Sequence, residues 1–329
     1  MKPVCRSILA ALGLLVVAPT AAYPADRPTA GDFPGKPIRV IIPFPPGGSN
    51  DLLMRFLGIK LAERLGQQIV VDNRGGANGI IGATLAAHAP PDGYTLLMVS
   101  TSYIMNAAVR SLLPYDVEKS FAPVAMIGTS PNCIVVNPGF GVDSLRELVE
   151  RARAKPASIF YASTGVGGFN HFGGELFKKL AGINLVMVPY KGGGAAMVDV
   201  IGGQIPMMFS SVTQVLPHVR SGKLKVIAVG AAKRTPALPD TPTVAEAGYP
   251  GYEVYVWWGI VAPTGIASAI VNRLHKEITA ILTEPATHDR LANDAAETII
   301  VSPAEFARFM HEDLQKWTAV AKEAGIHLQ

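Results

Sequence analysis

Cysteine is nearly absent from this sequence: Cys5 and Cys133 are the only two among 329 residues. Cys5 lies ahead of an apolar leader, so the processed chain keeps one thiol and can form no internal disulfide. Charge is scarce too, with 16% of residues charged and a net +4 spread along the chain. That excludes a basic patch for nucleic acid. The apolar leader, Ile8 to Val17, is about ten residues, roughly half of what crossing a bilayer requires. Gly-x-Ser-x-Gly, Ser-x-x-Lys and Gly-Lys-Ser/Thr are all missing, which removes the motif grounds for a serine hydrolase or a phosphate loop. Gly165-Val-Gly167 lacks a third glycine because Asn170 stands in its place, so there is no dinucleotide fingerprint. His171 and Glu175 stand four apart on one expected helix face, but no further ligand cluster accompanies them. No metal and no cofactor is expected.

What is present begins with a leader. Lys2 and Arg6 precede the apolar run, and Thr20-Ala-Ala22 offers small residues for cleavage, so residues 1–22 read as a cleaved signal peptide. Removing them lowers the net charge to +2. Cys5 precedes the run and therefore cannot be a lipid-bearing cysteine. Cys133 sits in Cys-Ile-Val-Val, the setting of a buried, inert thiol. A secreted, disulfide-free globular chain of this length points to a bacterial periplasm and to two domains of ordinary size.

The chain is organised around Lys36 to Ser49. Ile38 to Ile42 is a β-branched run that predicts a strand buried on both faces. Pro43, Pro45 and Pro46 end it, and Gly47 and Gly48 lead into a helix whose expected apolar stripe is Leu53, Phe56, Leu57, Leu61 and Leu65, stopped by Gly66. A strand, a glycine turn and a helix N-terminus form an anion site, because free N–H groups and the positive dipole end converge there. Asp51 counts against it, unless Arg55 draws the carboxylate aside.

Further strands are expected at Gln68–Asp72, at Tyr94–Val99 ending in Ser100-Thr-Ser102, and at Ile159–Ala162, Leu185–Val188, Met207–Phe209 and Leu224–Val229. Ile159–Ala162 runs into Ser163-Thr-Gly-Val-Gly-Gly168 and a helix with Phe172, Leu176 and Leu180 on one face, which repeats the opening architecture. Val124–Ile127 and Cys133–Val136 follow one another without a helix, as does the Tyr255–Val261 run after a proline-rich segment, so both read as crossings between domains. Two long helices close the chain, one with Ile270, Leu274, Ile278 and Ile281, the other opened by the capping box Ser302-Pro-Ala-Glu305 with a stripe of Phe306, Met310, Leu314, Trp317 and Ala321. The expected architecture is α/β, with domain 1 at 33–128 plus 256–329 and domain 2 inserted at 129–255. Ligands of open parallel sheets bind outside the strand carboxyl ends, so two such domains make a clam-shell that closes on a small solute.

Several stretches resemble one family. They are Ile41-Ile-Pro-Phe-Pro-Pro-Gly-Gly48, Val71-Asp-Asn-Arg-Gly-Gly-Ala77, Pro91-Asp-Gly-Tyr-Thr95, Tyr161-Ala-Ser-Thr-Gly-Val-Gly167 with His171, Val188-Pro-Tyr-Lys-Gly192, Leu238 to Gly248 and Trp257 to Pro263. Together they span nearly all of the mature chain, which resembles the periplasmic receptors of tripartite tricarboxylate transporters (Bug- or TctC-type). The resemblance implies a type II periplasmic-binding-protein fold: two Rossmann-like lobes, crossing hinge strands and a ligand cleft between them. It also implies no catalysis, a small carboxylate ligand, the transporter's membrane subunits as partners, and a monomer. The ligand would be gripped by the Phe44–Ser49 and Ser163–Gly168 turns, with Gly47, Gly48, Ser163 and Thr164 donating and Phe44 packing on it. The wider candidate set adds Ser49, Thr101, Ser102, Gly165, Gly168, Phe169, Asn170, Tyr190 and Ser210. Neither turn holds an arginine, so backbone N–H and hydroxyl donors are expected instead of a guanidinium fork. Family members often carry an acid where this chain has Ser210, and a histidine where it has Met187. Without that acid the ligand is expected to be a carboxylic acid lacking an ammonium group. Two other readings remain open: a receptor of the same fold that signals to a membrane sensor, and a periplasmic hydrolase using Ser49 or Ser163. Tyr190, Trp257 and Trp258 either line the ligand or stiffen the hinge.

Overall fold

The computed structural model describes residues 33–326; the expected signal peptide lies outside them. Ile38–Ile42 forms β1, and Ile38, Val40, Ile41 and Ile42 are all buried, as a strand covered on both faces requires. It pairs in parallel with β2 (Ile69–Asn73) and β3 (Thr95–Ser100). Helices α1 (Ser49–Leu65), α2 (Ile80–Ala87) and α3 (Thr101–Val109) follow these strands in turn. Gly66 ends α1 in the left-handed conformation, its N–H donating to the Ala62 carbonyl.

The chain then enters β4 (Phe121–Val136), α4 (Leu145–Ala154), β5 (Phe160–Ser163), α5 (Phe169–Ala181), β6 (Val186–Pro189), α6 (Gly193–Ile201), β7 (Met207–Ser211), α7 (Val212–Arg220) and β8 (Lys225–Gly230). It returns through β9 (Tyr255–Pro263) and closes with α8 (Ser268–Leu282), α9 (Pro285–Asn293), β10 (Glu297–Thr298) and α10 (Pro303–Ala324).

The single strand β4 belongs to two sheets. Phe121 to Pro131 pairs antiparallel with β9, in the order β2-β1-β3-β9-β4 with β10 on the far edge. Asn132 to Val136 pairs instead with β7 on one side and β8 on the other, and β5 and β6 extend that second sheet in parallel. The change of partners falls at Pro131 and Asn132. Pro131 has no N–H for a ladder, and the Asn132 N–H turns to the Val254 carbonyl at 2.8 Å. Each sheet carries helices on its faces, giving two α/β lobes that share one strand.

Three expectations about burial and order need correction. In α1 the buried stripe runs through Met54, whereas Phe56 lies half-buried under the Arg290 guanidinium, 5.5 Å from its ring centroid. In α5 the buried face holds Phe172 and Phe177, and Leu180 is exposed, because Phe177 packs edge-on against Tyr249 and Tyr252 of the opposite wall. Between the two long closing helices stand α9 and β10, too short to announce themselves by periodicity. The capping box of α10 is formed as expected: Ser302 Oγ accepts from Glu305 N–H, and the Glu305 carboxylate accepts from Ser302 N–H. Its Trp317 meets Phe172 of α5 edge-on, with ring centroids 5.3 Å apart, which ties the last helix to the second lobe.

Candidate functional site

The carboxyl ends of the parallel strands of both lobes point into one cleft, and the helices that follow them begin there. Gly48 caps α1 and Ser100 caps α3 in the first lobe; Gly168 caps α5, Gly192 caps α6 and Ser211 caps α7 in the second. Only Ser211 caps its helix with its own side chain, accepting from Gln214 N–H; the other four N-cap residues provide no side-chain acceptor, and of their first amides Phe169 N–H of α5 is taken by Ser102 Oγ. Five positive dipole ends therefore surround one space.

That space is a small cavity of about 40 Å³ between the lobes. The first lobe lines it with Phe44, Gly48, Ser49, Asn50, Ser100, Ser102 and Val256. The second lines it with Thr164, Phe169, Asn170, Gly193, Ser211 and Gln214. None of these side chains is charged. The donors are peptide amides, hydroxyls and carboxamides, a set suited to an anion that brings its own charge.

Asp51 is the one carboxylate in the first turn of α1, and it faces away. Its Oδ2 accepts from Gly47 N–H at 3.0 Å, and its Oδ1 accepts from Arg55 Nε and Asn73 Nδ2, both at 3.0 Å. Burial opposes its ionisation, but these donors outweigh burial and hold its carboxyl below the usual range. A consequence is that the Gly47 amide is already taken.

The expected residues therefore divide. Phe44, Gly48, Ser49, Ser102, Thr164, Phe169 and Asn170 line the cavity. Gly47, Thr101, Ser163, Gly165, Gly168, Tyr190 and Ser210 do not. Thr101 is fully buried and binds the hinge: its Oγ1 accepts from Trp257 N–H at 2.8 Å and donates to the Tyr255 carbonyl. Ser163 turns inward to the Gly165 carbonyl, and Tyr190 donates to Asp199 at 2.6 Å on the outside of α6. Gly165 and Gly168 face Asn78 of the first lobe, where a Cβ on Gly168 would sit 2.7 Å from Asn78 Oδ1. Ser210 is buried behind Ser211, because neighbouring strand residues point to opposite faces.

Asn50, Ser100, Gly193, Ser211, Gln214 and Val256 complete the lining without having been anticipated. A signal existed for two of them. Ser211-Val-Thr-Gln214 spells a capping box, which would have placed both at a helix start. The tryptophans resolve to the hinge: Trp257 donates from Nε1 to Asp313 at 2.7 Å, and buried Trp258 donates to Ser49 Oγ at 3.3 Å, steadying a cavity residue from β9.

Side chains that position the second turn are themselves fully committed. Asn170 accepts from Thr164 Oγ1 at 2.9 Å and donates to the Phe209 carbonyl. Ser102 Oγ accepts from Phe169 N–H at 3.2 Å, a hydrogen bond across the lobes. His171 accepts from Gly167 N–H on Nδ1 at 3.2 Å. Burial of the His171 ring lowers its pKa; Glu175 opposes that shift and Lys178 adds to it. Unfolded, the ring titrates near 6.5; folded, it titrates lower. Between those values the unfolded chain holds the extra proton, so the His171 contribution to stability falls as pH drops below about 6.5 and is exhausted below the folded value. The thermal midpoint is expected to decline on that acid limb, and less steeply in His171→Gln, which keeps an acceptor for Gly167. Equal slopes would remove His171 as the origin.

Among the described residues no group of three His, Cys, Asp or Glu could hold a metal, and no helix is long and apolar enough to cross a membrane. Cys133 is a free, buried thiol whose pKa burial pushes well up, so it is unreactive.

Comparison with known proteins places this geometry in context. Residues 53–326 match the family described as the tripartite tricarboxylate transporter family receptor. Protein BugT of Bordetella pertussis is 35% identical over 324 residues, covering 98% of both chains. Among solved structures, Rpa4515 of R. palustris with adipate has a TM-score of 0.88 at 34% identity, covering 90% of this chain and 99% of that one. The periplasmic binding protein BugD has a TM-score of 0.87 at 33% identity, covering 90% and 100%.

Proposed function

Because the chain belongs to the tripartite tricarboxylate transporter receptor family, whose members are solute-binding proteins and not enzymes, we propose that it captures a small carboxylate between its lobes in the periplasm. It then delivers that solute to the membrane permease of such a transporter. The observation that carries this reading is the meeting of five helix N-termini on one cavity whose lining has no charged side chain. An incoming carboxylate meets the positive ends of these helices, and it finds no carboxylate among the lining side chains to repel it. A cationic solute would face five positive helix ends with no carboxylate among the lining side chains to pair with.

Amides of both lobes contribute, so the anion binds the closed arrangement better than the open one, and only that difference can drive closure. Delivery follows from the same coupling: a permease that distinguishes closed from open receptors recognises loading. The adipate held by a relative supports the solute class. Ser210 and Gln214 leave no acid to meet an ammonium group at the end of β7, so amino acids are disfavoured.

Calorimetric titration with mono- and dicarboxylic acids, aromatic acids and amino acids tests this. Binding of one or more acids without an ammonium group is expected. Binding of amino acids alone would overturn it. Native mass spectrometry of the protein as purified is expected to find a retained acid.

A further inference from the structure

Gln214 has an unusual position in the cavity. It is only 7% exposed, yet its Nε2 has no hydrogen-bond partner in the protein. The rest of the residue is tied down. Its backbone N–H donates to Ser211 Oγ at 3.4 Å, and its Oε1 accepts from Ser210 Oγ at 3.2 Å. With Ser210 Oγ donating to Oε1, the NH₂ end of this cavity-lining carboxamide is the one left without a partner. Gly193 makes room for it: a Cβ there would lie 2.7 Å from Nε2. A buried carboxamide donor without a partner is costly, and a well-anchored one in a ligand cavity is best explained by a partner that arrives with the solute. Asn50, 5% exposed in the first lobe, carries a second orphan donor, Nδ2, on the same cavity.

We propose that Gln214 sets solute specificity by donating from Nε2 to an oxygen of the solute other than the carboxylate held at the helix N-termini. The selected solute is then an acid with a second oxygen acceptor, a dicarboxylate being the strongest case. A monocarboxylate of the same carbon count leaves the Gln214 donor buried and unpaired, and is rejected for that reason. Ser210 is a positioning residue, acting only through the orientation it imposes on Gln214. Asn50 brings the matching donor from the opposite lobe, so a solute with two acceptor ends also ties α1 to α7. This inference rests on the reading of the cavity as an acid-binding site.

The test is calorimetry on wild type, Gln214→Leu and Gln214→Glu with pairs matched in carbon count: succinate and butyrate, glutarate and pentanoate, adipate and hexanoate. Wild type is expected to prefer the dicarboxylate of at least one pair. Gln214→Leu is expected to weaken that dicarboxylate by about tenfold or more and to strengthen its monocarboxylate partner, because the unpaired donor is gone. Gln214→Glu, which keeps the shape but adds a negative charge, is expected to lose the dicarboxylate more completely than Gln214→Leu. Equal losses for both members of a pair, or none for either, would overturn the role of Gln214 while leaving the cavity an acid site. Absence of all acid binding to wild type would overturn the functional reading itself, and this inference with it. Ser210→Ala separates positioning from contact: it is expected to shrink the preference within a pair without abolishing acid binding, and an unchanged preference would remove Ser210 from the account.

Discussion

Gly48→Val is expected to abolish solute binding while leaving the thermal midpoint within about 3 °C of wild type. Gly48 has φ −83 and ψ 166, an extended conformation that valine adopts readily, so the substitution brings no backbone strain. A Cβ there meets nothing nearer than the Pro45 carbonyl at 4.0 Å, because that direction is the cavity itself. The isopropyl group would project into this small cavity of about 40 Å³. It would also screen the first amides of α1 from the anion. Losing two charge-assisted hydrogen bonds, at about 1.5–3 kcal/mol each, corresponds to a weakening of roughly 10²- to 10⁴-fold. Calorimetry against the solute found by mass spectrometry, alongside a melting curve, measures both halves. Wild-type affinity in this variant would place the anion away from α1.

Gly194→Ala separates closure from folding. Gly194 lies in the first turn of α6 in the second lobe, and a Cβ on it would run into the Pro46 carbonyl oxygen of the first lobe. Gly192 has the same relation to Pro45, whose ring would lie 2.5 Å away. Alanine is the better helix former, by up to about 1 kcal/mol, so the lobe itself folds at least as well. The steric conflict exists only when the lobes meet. Overpacking of this kind costs about 1–3 kcal/mol, and it falls wholly on the closed state, raising the apparent Kd by roughly five- to 150-fold. Small-angle scattering is expected to show compaction on solute addition in wild type and a reduced change in Gly194→Ala. Undiminished compaction with undiminished affinity would mean that the Pro45–Gly47 turn and the α6 start do not limit closure.

Both variants test glycines that the sequence marked for different reasons. The Gly47-Gly48 turn was legible as an anion site because strand, glycine pair and helix start are local features, each dictated by neighbouring residues. β1 was readable to the residue, since a β-branched run flanked by prolines leaves the backbone little choice. The capping box at Ser302 was similarly local. By contrast, nothing within Pro189 to Gly194 announced that its glycines meet Pro45 and Pro46, because those partners lie about 150 residues away in sequence.

The site divides along the same line. Residues just after the glycine turns, such as Ser49 and Thr164, line the cavity as expected. Hydroxyl clusters at strand ends were recognised, but which member faces the solute was not. Thr101 and Ser210 turn into the protein while Ser100 and Ser211 face the cavity. For Ser210 and Ser211 a one-residue shift along β7 reverses the side chain, and only pairing with neighbouring strands sets that register; Thr101 is turned inward by its bonds to β9 at the start of α3. Nothing in the local sequence singles out the Gln214 carboxamide; its orphan donor exists only once Ser210, Gly193 and the opposite lobe surround it.

From the chain alone came the alternation of strands and helices, the two crossings and the absence of charge in the anion turns, since these depend on near neighbours and composition. The tertiary structure alone decided which amides stay free, which hydroxyls face inward, and which glycines touch across the cleft. Those are properties of surfaces brought together from distant sequence, and no local propensity carries information about a partner that folding has yet to bring near.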